Sequence, residues 1–409
     1  MSNLPWYLCL LLHYASSQST IDPSILLEIF GTAPPTAPPT ATSTPRLEDI
    51  TRRTTDSTTT FVDKSGDSCK CVPYYLCTPD LVGVDANNVS VTGWGTLDIR
   101  FREDDCQEST ERCCKNPKPI EEFTQPPPPM IKACGFRNTK GLDFSITGGS
   151  AQFGEFPWVI ALLDSANDSY VGVGVLIHPE VVMTGSHIAF KFSPGGMKIR
   201  AGEWDTQTSK ERLPYQERTV SEIYLHDEFN PKTLYNDIAL LRLDSPLDLS
   251  QHINTICLPE QDQSFDDSKD CVANGWGKDT FGLVGRYAVI LKRVEQDMIP
   301  NLRCNELLRR TRLGPRFRLH DSFVCAGGEE GKDTCQGDGG APLACPIGND
   351  RYKLTGLVAW GIGCGQKDVP AVYTRVSQFR NWVDDQMRTW DTAIISSYSI
   401  SHVFFPQGQ

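Results

Sequence analysis

From Cys134 onward the chain is written in short apolar runs separated by turns. Trp158-Val159-Ile160-Ala161-Leu162-Leu163, Val171 to Ile177, Glu180 to Thr184, Lys198 to Arg200, Ile238 to Leu243, Leu354 to Trp360 and Ala371 to Val376 are rich in aliphatic and β-branched residues, with Gly, Pro and Asn between them. Runs of this length, spaced by turn residues, predict the strands of an all-β barrel or sandwich. One stretch follows another period. Val376, Phe379, Trp382, Val383 and Met387 recur at helical spacing and predict a C-terminal helix over Val376 to Trp390 closing on the β body.

Upstream the pattern changes. Met1 to Ser19 carries Leu4, Trp6, Tyr7, Leu8, Cys9, Leu10, Leu11 and Leu12, then the small residues Ala15-Ser16-Ser17. This reads as a secretory signal peptide over residues 1–17, against the competing reading of an apolar N-terminal strand. Residues 18–68 are a Thr/Pro-rich spacer that buries too little apolar surface to offset the cost of ordering. Arg46, Arg52 and Arg53 lie in it, where proteases cut most easily. A cysteine-rich unit occupies 69–114. A linker at 115–133 holds Pro117, Pro119 and the run Pro126 to Pro129, which favours a stiff polyproline II spacer. The β body spans 134–390, and the tail 391–409 receives no role.

Composition narrows the function. The 409 residues carry a net charge of −12, with 22% charged and 39% apolar residues, as expected of soluble globular domains. A charge of this sign would not neutralise phosphates, which argues against nucleic acid or an anionic membrane as partner. No apolar run after the first segment is long enough to span a bilayer. Of 15 cysteines, removal of Cys9 with the signal peptide leaves an even number, consistent with an oxidised extracellular chain. The sequons at Asn88 and Asn167 would be usable on that route. His13, His178, His226, His252, His320 and His402 lack metal-ligand spacing, so no metal and no cofactor are assigned. Arg309, Arg310, Arg312, Arg316 and Arg318 form a basic cluster in an acidic chain. It reads as a solvated loop or short helix, or as a docking surface for an acidic partner.

Cys69, Cys71, Cys77, Cys106, Cys113 and Cys114 fall in a span too short for a self-sufficient core, so disulfides are expected to hold it. With no His in the span and no pair of CxxC knuckles, zinc fits poorly. The spacing C-x-C-x5-C, a long gap, then C-x6-C-C resembles the arthropod clip domain, as does Leu97-Asp98-Ile99-Arg100-Phe101. That resemblance implies the pairs Cys69–Cys113, Cys71–Cys106 and Cys77–Cys114.

The segment Lys332 to Cys345, KDTCQGDGGAPLAC, resembles the nucleophile segment of trypsin-like serine proteases, which carry Gly-Asp-Ser-Gly-Gly-Pro there. Asn236-Asp237-Ile238-Ala239-Leu240-Leu241 resembles the family's Asp-Ile-Ala-Leu-Leu. Val181 to His187 resembles its Val-Val-Thr-Ala-Ala-His. The resemblance implies two six-stranded barrels of chymotrypsin type with a C-terminal helix, preceded by a small disulfide-rich clip domain. It makes His187 the general-base position and Asp237 the carboxylate that orients it. Gly337 and Gly339 become the oxyanion-type backbone. Asp333 matches the base of a primary pocket for Lys or Arg, but Ala371, where Gly is usual, would narrow it, so the pair Asp333 and Ala371 reads as a relic pocket rather than a working recognition site. The implied pairs in this part are Cys134–Cys257, Cys271–Cys345, Cys304–Cys325 and Cys335–Cys364.

The departures decide the function. The nucleophile position is Gly339, which has no side chain, so His187 has no proton to take and no catalytic residue is assigned. Ile188 and Gly172 stand where the family has a disulfide beside the histidine, and Ala359 replaces a Ser that supports the carboxylate. Ile146-Thr147-Gly148-Gly149 resembles the terminus freed on activation, but Phe144-Ser145 precedes it, which a trypsin-like activator would not cut. An uncut Ile146 would leave Asp338 without its ammonium partner. Cleavage is expected at Arg53, or at Arg100 or Arg102 within the cysteine-rich unit.

Together these features resemble the clip-domain serine protease homologues of arthropod haemolymph, within them the prophenoloxidase-activating cofactor group. That resemblance implies a secreted, extracellular, zymogen-like glycoprotein without proteolytic activity. It would be cut by a clip-domain protease, assemble into oligomers, and assist activation of prophenoloxidase in melanisation and innate immunity. The alternatives are a pattern-recognition or adhesion protein and a decoy that restrains the same cascade. An active endopeptidase ranks last.

Overall fold

The structure, a computed structural model, describes residues 60–62, 68–73, 111–114, 133–142, 149–207, 211, 213–278 and 285–390. Three short strands precede the main body. β1 (Thr60–Val62), β2 (Ser68–Pro73) and β3 (Glu111–Cys114) form an antiparallel sheet in the order β1-β2-β3, with Cys71 opposite Cys113 and Lys70 opposite Cys114. The cysteine side chains of this unit, Cys77 and Cys106, lie outside the described residues. So do the signal peptide, Asn88, Arg53, Arg100, Arg102, Ser145, Ile146 and the tail.

The main body holds two antiparallel sheets. The first is a closed six-stranded barrel in the order β4-β5-β6-β9-β8-β7. Its strands are β4 (Val159–Asp164), β5 (Tyr170–His178), β6 (Val181–Thr184), β7 (Met197–Ala201), β8 (Gln216–Leu225) and β9 (Ala239–Leu243). Side chains alternate across a strand. Ile160 and Leu162 of β4 therefore enter one core with Val182 of β6 and Leu241 of β9, while Val159, Ala161, Val181, Met183 and Leu240 enter another. Both faces are buried, which is why these strands read as continuous apolar runs. β8 reads QERTVSEIYL and carries no such run. It forms because β7 and β9 supply its ladder, and only Val220 is fully enclosed.

The second sheet contains β10 (Cys271–Gly275), β11 (Lys292–Gln296), β12 (Met298–Ile299), β13 (Phe323–Ala326), β14 (Pro342–Gly348), β15 (Arg351–Trp360) and β16 (Ala371–Arg375). Their order is β11-β10-β14-β15-β16-β13-β12. It has one strand more than expected because a single run is split at Asp297. The Asp297 carbonyl accepts from Gly327 N and its carboxylate from Asp270 N and Lys269 Nζ, which pulls the backbone out of the ladder. The chain passes directly from one edge of this sheet to the other, so the sheet curls on itself.

Among the described residues three helices complete the body: α1 (Ser186–Ala189), α2 (Asn301–Arg309) and α3 (Arg380–Thr389). The expected C-terminal helix starts as a 3-10 turn at Val376–Phe379 and becomes α only at Arg380. Val383 and Met387, four apart, bury on one side of α3. Trp382 stacks on Tyr224 of β8 at 5.4 Å, and Trp390 Nε1 donates to Glu222 Oε2 at 3.0 Å. The helix thus pins a polar strand that few core residues hold.

Four disulfides lie in this body: Cys134–Cys257, Cys271–Cys345, Cys304–Cys325 and Cys335–Cys364. Among the described residues no helix is long and apolar enough to cross a membrane.

Candidate functional site

β6 and β9 are hydrogen-bonded neighbours, with Thr184 paired to Ala239. The residues just past the end of β6 and just before the start of β9 are therefore brought together. α1 lifts His187 off the end of β6, and Asp237 stands two residues before β9. His187 Nδ1 lies 2.6 Å from Asp237 Oδ2, and His187 N donates to Asp237 Oδ1 at 2.8 Å. Asp237 is wholly buried and His187 nearly so. Ser186 Oγ donates to Ile238 O at 2.6 Å and Thr374 Oγ1 to Asp237 O at 2.8 Å, fixing the backbone at both residues. An imidazole oriented by a buried carboxylate is the positioning half of a catalytic triad.

The third position is empty of chemistry. A Cβ built on Gly339 would stand 2.6 Å from His187 Nε2 and 3.1 Å from Ile188 Cδ1. The segment is in place to face the histidine, but it offers no hydroxyl, and the imidazole and Ile188 have closed over the space. Gly340, at φ +75°, is obligatory in another sense: a Cβ there would lie 2.2 Å from Thr184 Oγ1 and 2.5 Å from Val173 O.

Ile188 also occupies the place of the lost disulfide. A Cβ on Gly172 would meet Ile188 Cδ1 at 3.1 Å and Cγ1 at 3.3 Å, as well as Gly339 O at 3.0 Å. The isoleucine thus packs on both glycines and joins the core cluster of the first barrel. Gly185 was not singled out from the sequence, although it stands where the family motif has Ala. A Cβ there would lie 2.7 Å from His187 Nδ1, so the ring sits where an alanine would not allow it. Ala359 is buried and brings no hydroxyl to Asp237.

Beside Gly339, Gly337 adopts φ +99° and its carbonyl accepts from Tyr170 OH at 2.9 Å. The Tyr287 ring covers it: a Cβ on Gly337 would meet Tyr287 Cε1 at 2.5 Å. Asp333 Oδ2 accepts from Gly365 N at 2.9 Å. Burial pushes its carboxyl up to about 6, against the opposing pull of hydrogen bonds from Gly365, Thr334 and Gln296. Behind it Tyr373 OH donates to Gln296 Oε1, and Ala371 is buried in β16. Cys335–Cys364 ties the Asp333 to Gly340 loop to the Gly361 to Gly365 loop.

The remaining sequence candidates fall elsewhere. Asn167 is exposed in the β4–β5 hairpin, where its Oδ1 accepts from Ser169 N at 2.9 Å. Arg310, Arg312, Arg316 and Arg318 are exposed on the segment after α2, which Phe317 anchors in a small core while Arg309 Nε donates to Phe317 O. His320 stacks on Tyr235 at 3.9 Å, and His226 packs on Phe379 and Trp382. Among the described residues no cluster of three or more His, Cys, Asp or Glu is placed to hold a metal.

Two carboxyls apart from this site are strained electrostatically. Burial and the neighbouring Glu203 charge push Glu211 up to about 8, while burial also raises Glu203 although Arg200 Nη1 lies 2.7 Å from it.

A trypsin family profile matches residues 145–383, and a profile described as the serine protease clip domain PPAF-2 matches residues 58–115. Phenoloxidase-activating factor 2 of Galleria mellonella is 47% identical over 290 residues, covering 66% of this chain and 95% of that protein. Inactive CLIP domain-containing serine protease A8 of Anopheles gambiae is 40% identical, covering 77% of this chain and 87% of its own. Inactive CLIP domain-containing serine protease A28 of the same species is 35% identical, covering 81% and 91%. The chain belongs to the trypsin family and, with its clip domain, is a clip-domain serine protease homologue.

Proposed function

We propose that this chain is a secreted, catalytically silent regulator of an innate-immune protease cascade, acting as a cofactor in activation of prophenoloxidase. The observation that carries the silent part is the Gly339–His187 approach: the base is oriented, yet the opposite position has neither a hydroxyl nor room for one. Acyl transfer through a residue at this position is chemically closed. The disulfides and the expected signal peptide support an oxidising, extracellular setting such as haemolymph. The name of one relative, a phenoloxidase-activating factor, supports the cofactor role, and a clip-domain protease as the partner that cuts this chain belongs to the same proposal. Domain limits of 69–114 for the clip domain and 134–390 for the protease-like body belong to the same reading, as does assembly into oligomers after a cut in the spacer or clip domain.

The test is reconstitution. Purified full-length chain, before and after treatment with the cascade protease, is added to prophenoloxidase and its activating protease, and phenoloxidase activity is followed. A rise that requires this chain supports the cofactor role. A fall would replace it by a decoy. No change, together with binding to microbial surface sugars, would replace it by recognition. Labelling by a fluorophosphonate probe would overturn the silent assignment itself.

A further inference from the structure

We propose that Lys292 is a built-in counter-ion for Asp338 and holds the Gly339 loop in its protease-like arrangement without a cut before Ile146. Asp338 is the carboxylate that a newly freed chain terminus would be expected to neutralise, and an uncut chain was expected to leave it alone. It is not alone. Lys292 Nζ lies 3.5 Å from Asp338 Oδ2.

The carboxylate sits in a slot that only glycine could line. A Cβ on Gly275 would stand 2.2 Å from Asp338 Oδ1, and one on Gly277 2.4 Å from Cγ. Oδ1 accepts from Gly277 N at 2.7 Å and Oδ2 from Cys335 N at 2.9 Å. These amides satisfy the oxygens but not the charge, and a carboxylate this buried requires a cation near it. Lys292 is placed for that task by the sheet. On β11 it pairs with Gly275 of β10, the strand that lines the slot, and on its other side it bridges to Ser150. Its ammonium also donates to Lys278 O at 3.1 Å, while Lys278 N donates to Gln336 O at 2.8 Å. A ring of contacts thus runs from Lys292 through Lys278 to Gln336 and back through Cys335 to Asp338. None of its members lies in 143–148.

The consequence is that a cut elsewhere, in the spacer or the clip domain, can change what this protein exposes without reorganising the loop around Gly339. Hydrogen exchange on the uncut full-length chain tests this, comparing Lys292→Met and Lys292→Arg with the parent. Loss of the charge strands a buried carboxylate. K292M is therefore expected to raise exchange in 335–340 and 361–365 by about tenfold or more and to leave β6, 181–184, unchanged. K292R should stay within about twofold of the parent, because the charge is kept. In an Asp338→Asn background K292M should add nothing. Unchanged exchange at 335–340 in K292M, or an equal effect in the D338N background, would overturn the proposal. Should K292M also loosen 181–184, Lys292→Gln carries the comparison: selective loss of protection at 335–340 supports the assignment, and retained protection defeats it.

Discussion

His187 Nε2 lies 2.6 Å from the point that a Cβ on Gly339 would occupy. Real side chains do not approach so closely, so a serine cannot be written back at 339 without displacing the imidazole. The displacement is itself resisted, because His187 is fixed to Asp237 through both Nδ1 and N. Gly339→Ser is therefore expected to give no turnover of basic peptide esters and no fluorophosphonate labelling. It should also lower stability by about 1–3 kcal/mol in urea unfolding, the usual cost of overpacking. Labelled G339S would show that the ring swings aside freely.

Ile188 fills the place between Gly172 and Gly339, and this can be measured as a coupling. Gly172→Ala brings a methyl 3.1 Å from Ile188 Cδ1 and 3.0 Å from Gly339 O. It should cost about 1–3 kcal/mol alone and distinctly less in an Ile188→Val background, which lacks Cδ1. Strictly additive losses in denaturant unfolding would separate the two residues.

Stability should fall as pH rises through the neutral range, because two buried carboxyls hold their protons when folded. The Asp333 carboxyl is pushed up to about 6 and that of Glu211 to about 8, whereas unfolded carboxyls titrate near about 4. Each group's contribution is thus complete below about pH 4, and it is lost as pH climbs through about 6 for Asp333 and about 8 for Glu211. Glu211→Gln keeps an acceptor for Asp205 N and cannot ionise. Its melting temperature should match the parent near pH 4 and exceed it increasingly toward pH 8, by an amount worth about 2 kcal/mol or more. A constant offset across that range would mean that Glu211 is not the titrating group.

Cys134 and Cys257 are bonded across 123 residues. A specific protease site placed within 143–148 and then cut should leave one band on a non-reducing gel and two after reduction. Separation without reductant would show this bridge to be absent from the secreted protein.

The site was legible where the motif carried it. The residues around His187 and Asp237 announce the pair, and adjacent strands then bring them together. The blank at Gly339 needed no structure at all. What stayed hidden depends on register and on polar strands. β8 and β11 read as QERTVSEIYL and KRVEQ, with no run of apolar residues, since neighbouring ladders rather than core burial hold them. Lys292 faces Gly275 only because β11 and β10 pair in one register, so no spacing in the chain could announce its approach to Asp338. Gly185 was readable as a departure from the family's alanine. Its meaning, a ring set closer to the backbone, appears only in the fold.

The split at Asp297 has a consequence for how this protein can associate. The first barrel has no free strand. In the second sheet β11 is bridged by Ser150, and Met298 N of β12 is taken by Ser268 O. Among the described residues, the Gly149 to Ala151 segment and Ser268 thus take backbone groups at the two edges of the second sheet, which shortens the bare edge onto which another chain could add a strand. Side chains and loops are then most of what this body presents to a partner, so recognition can be changed residue by residue without touching the ladders that keep the fold.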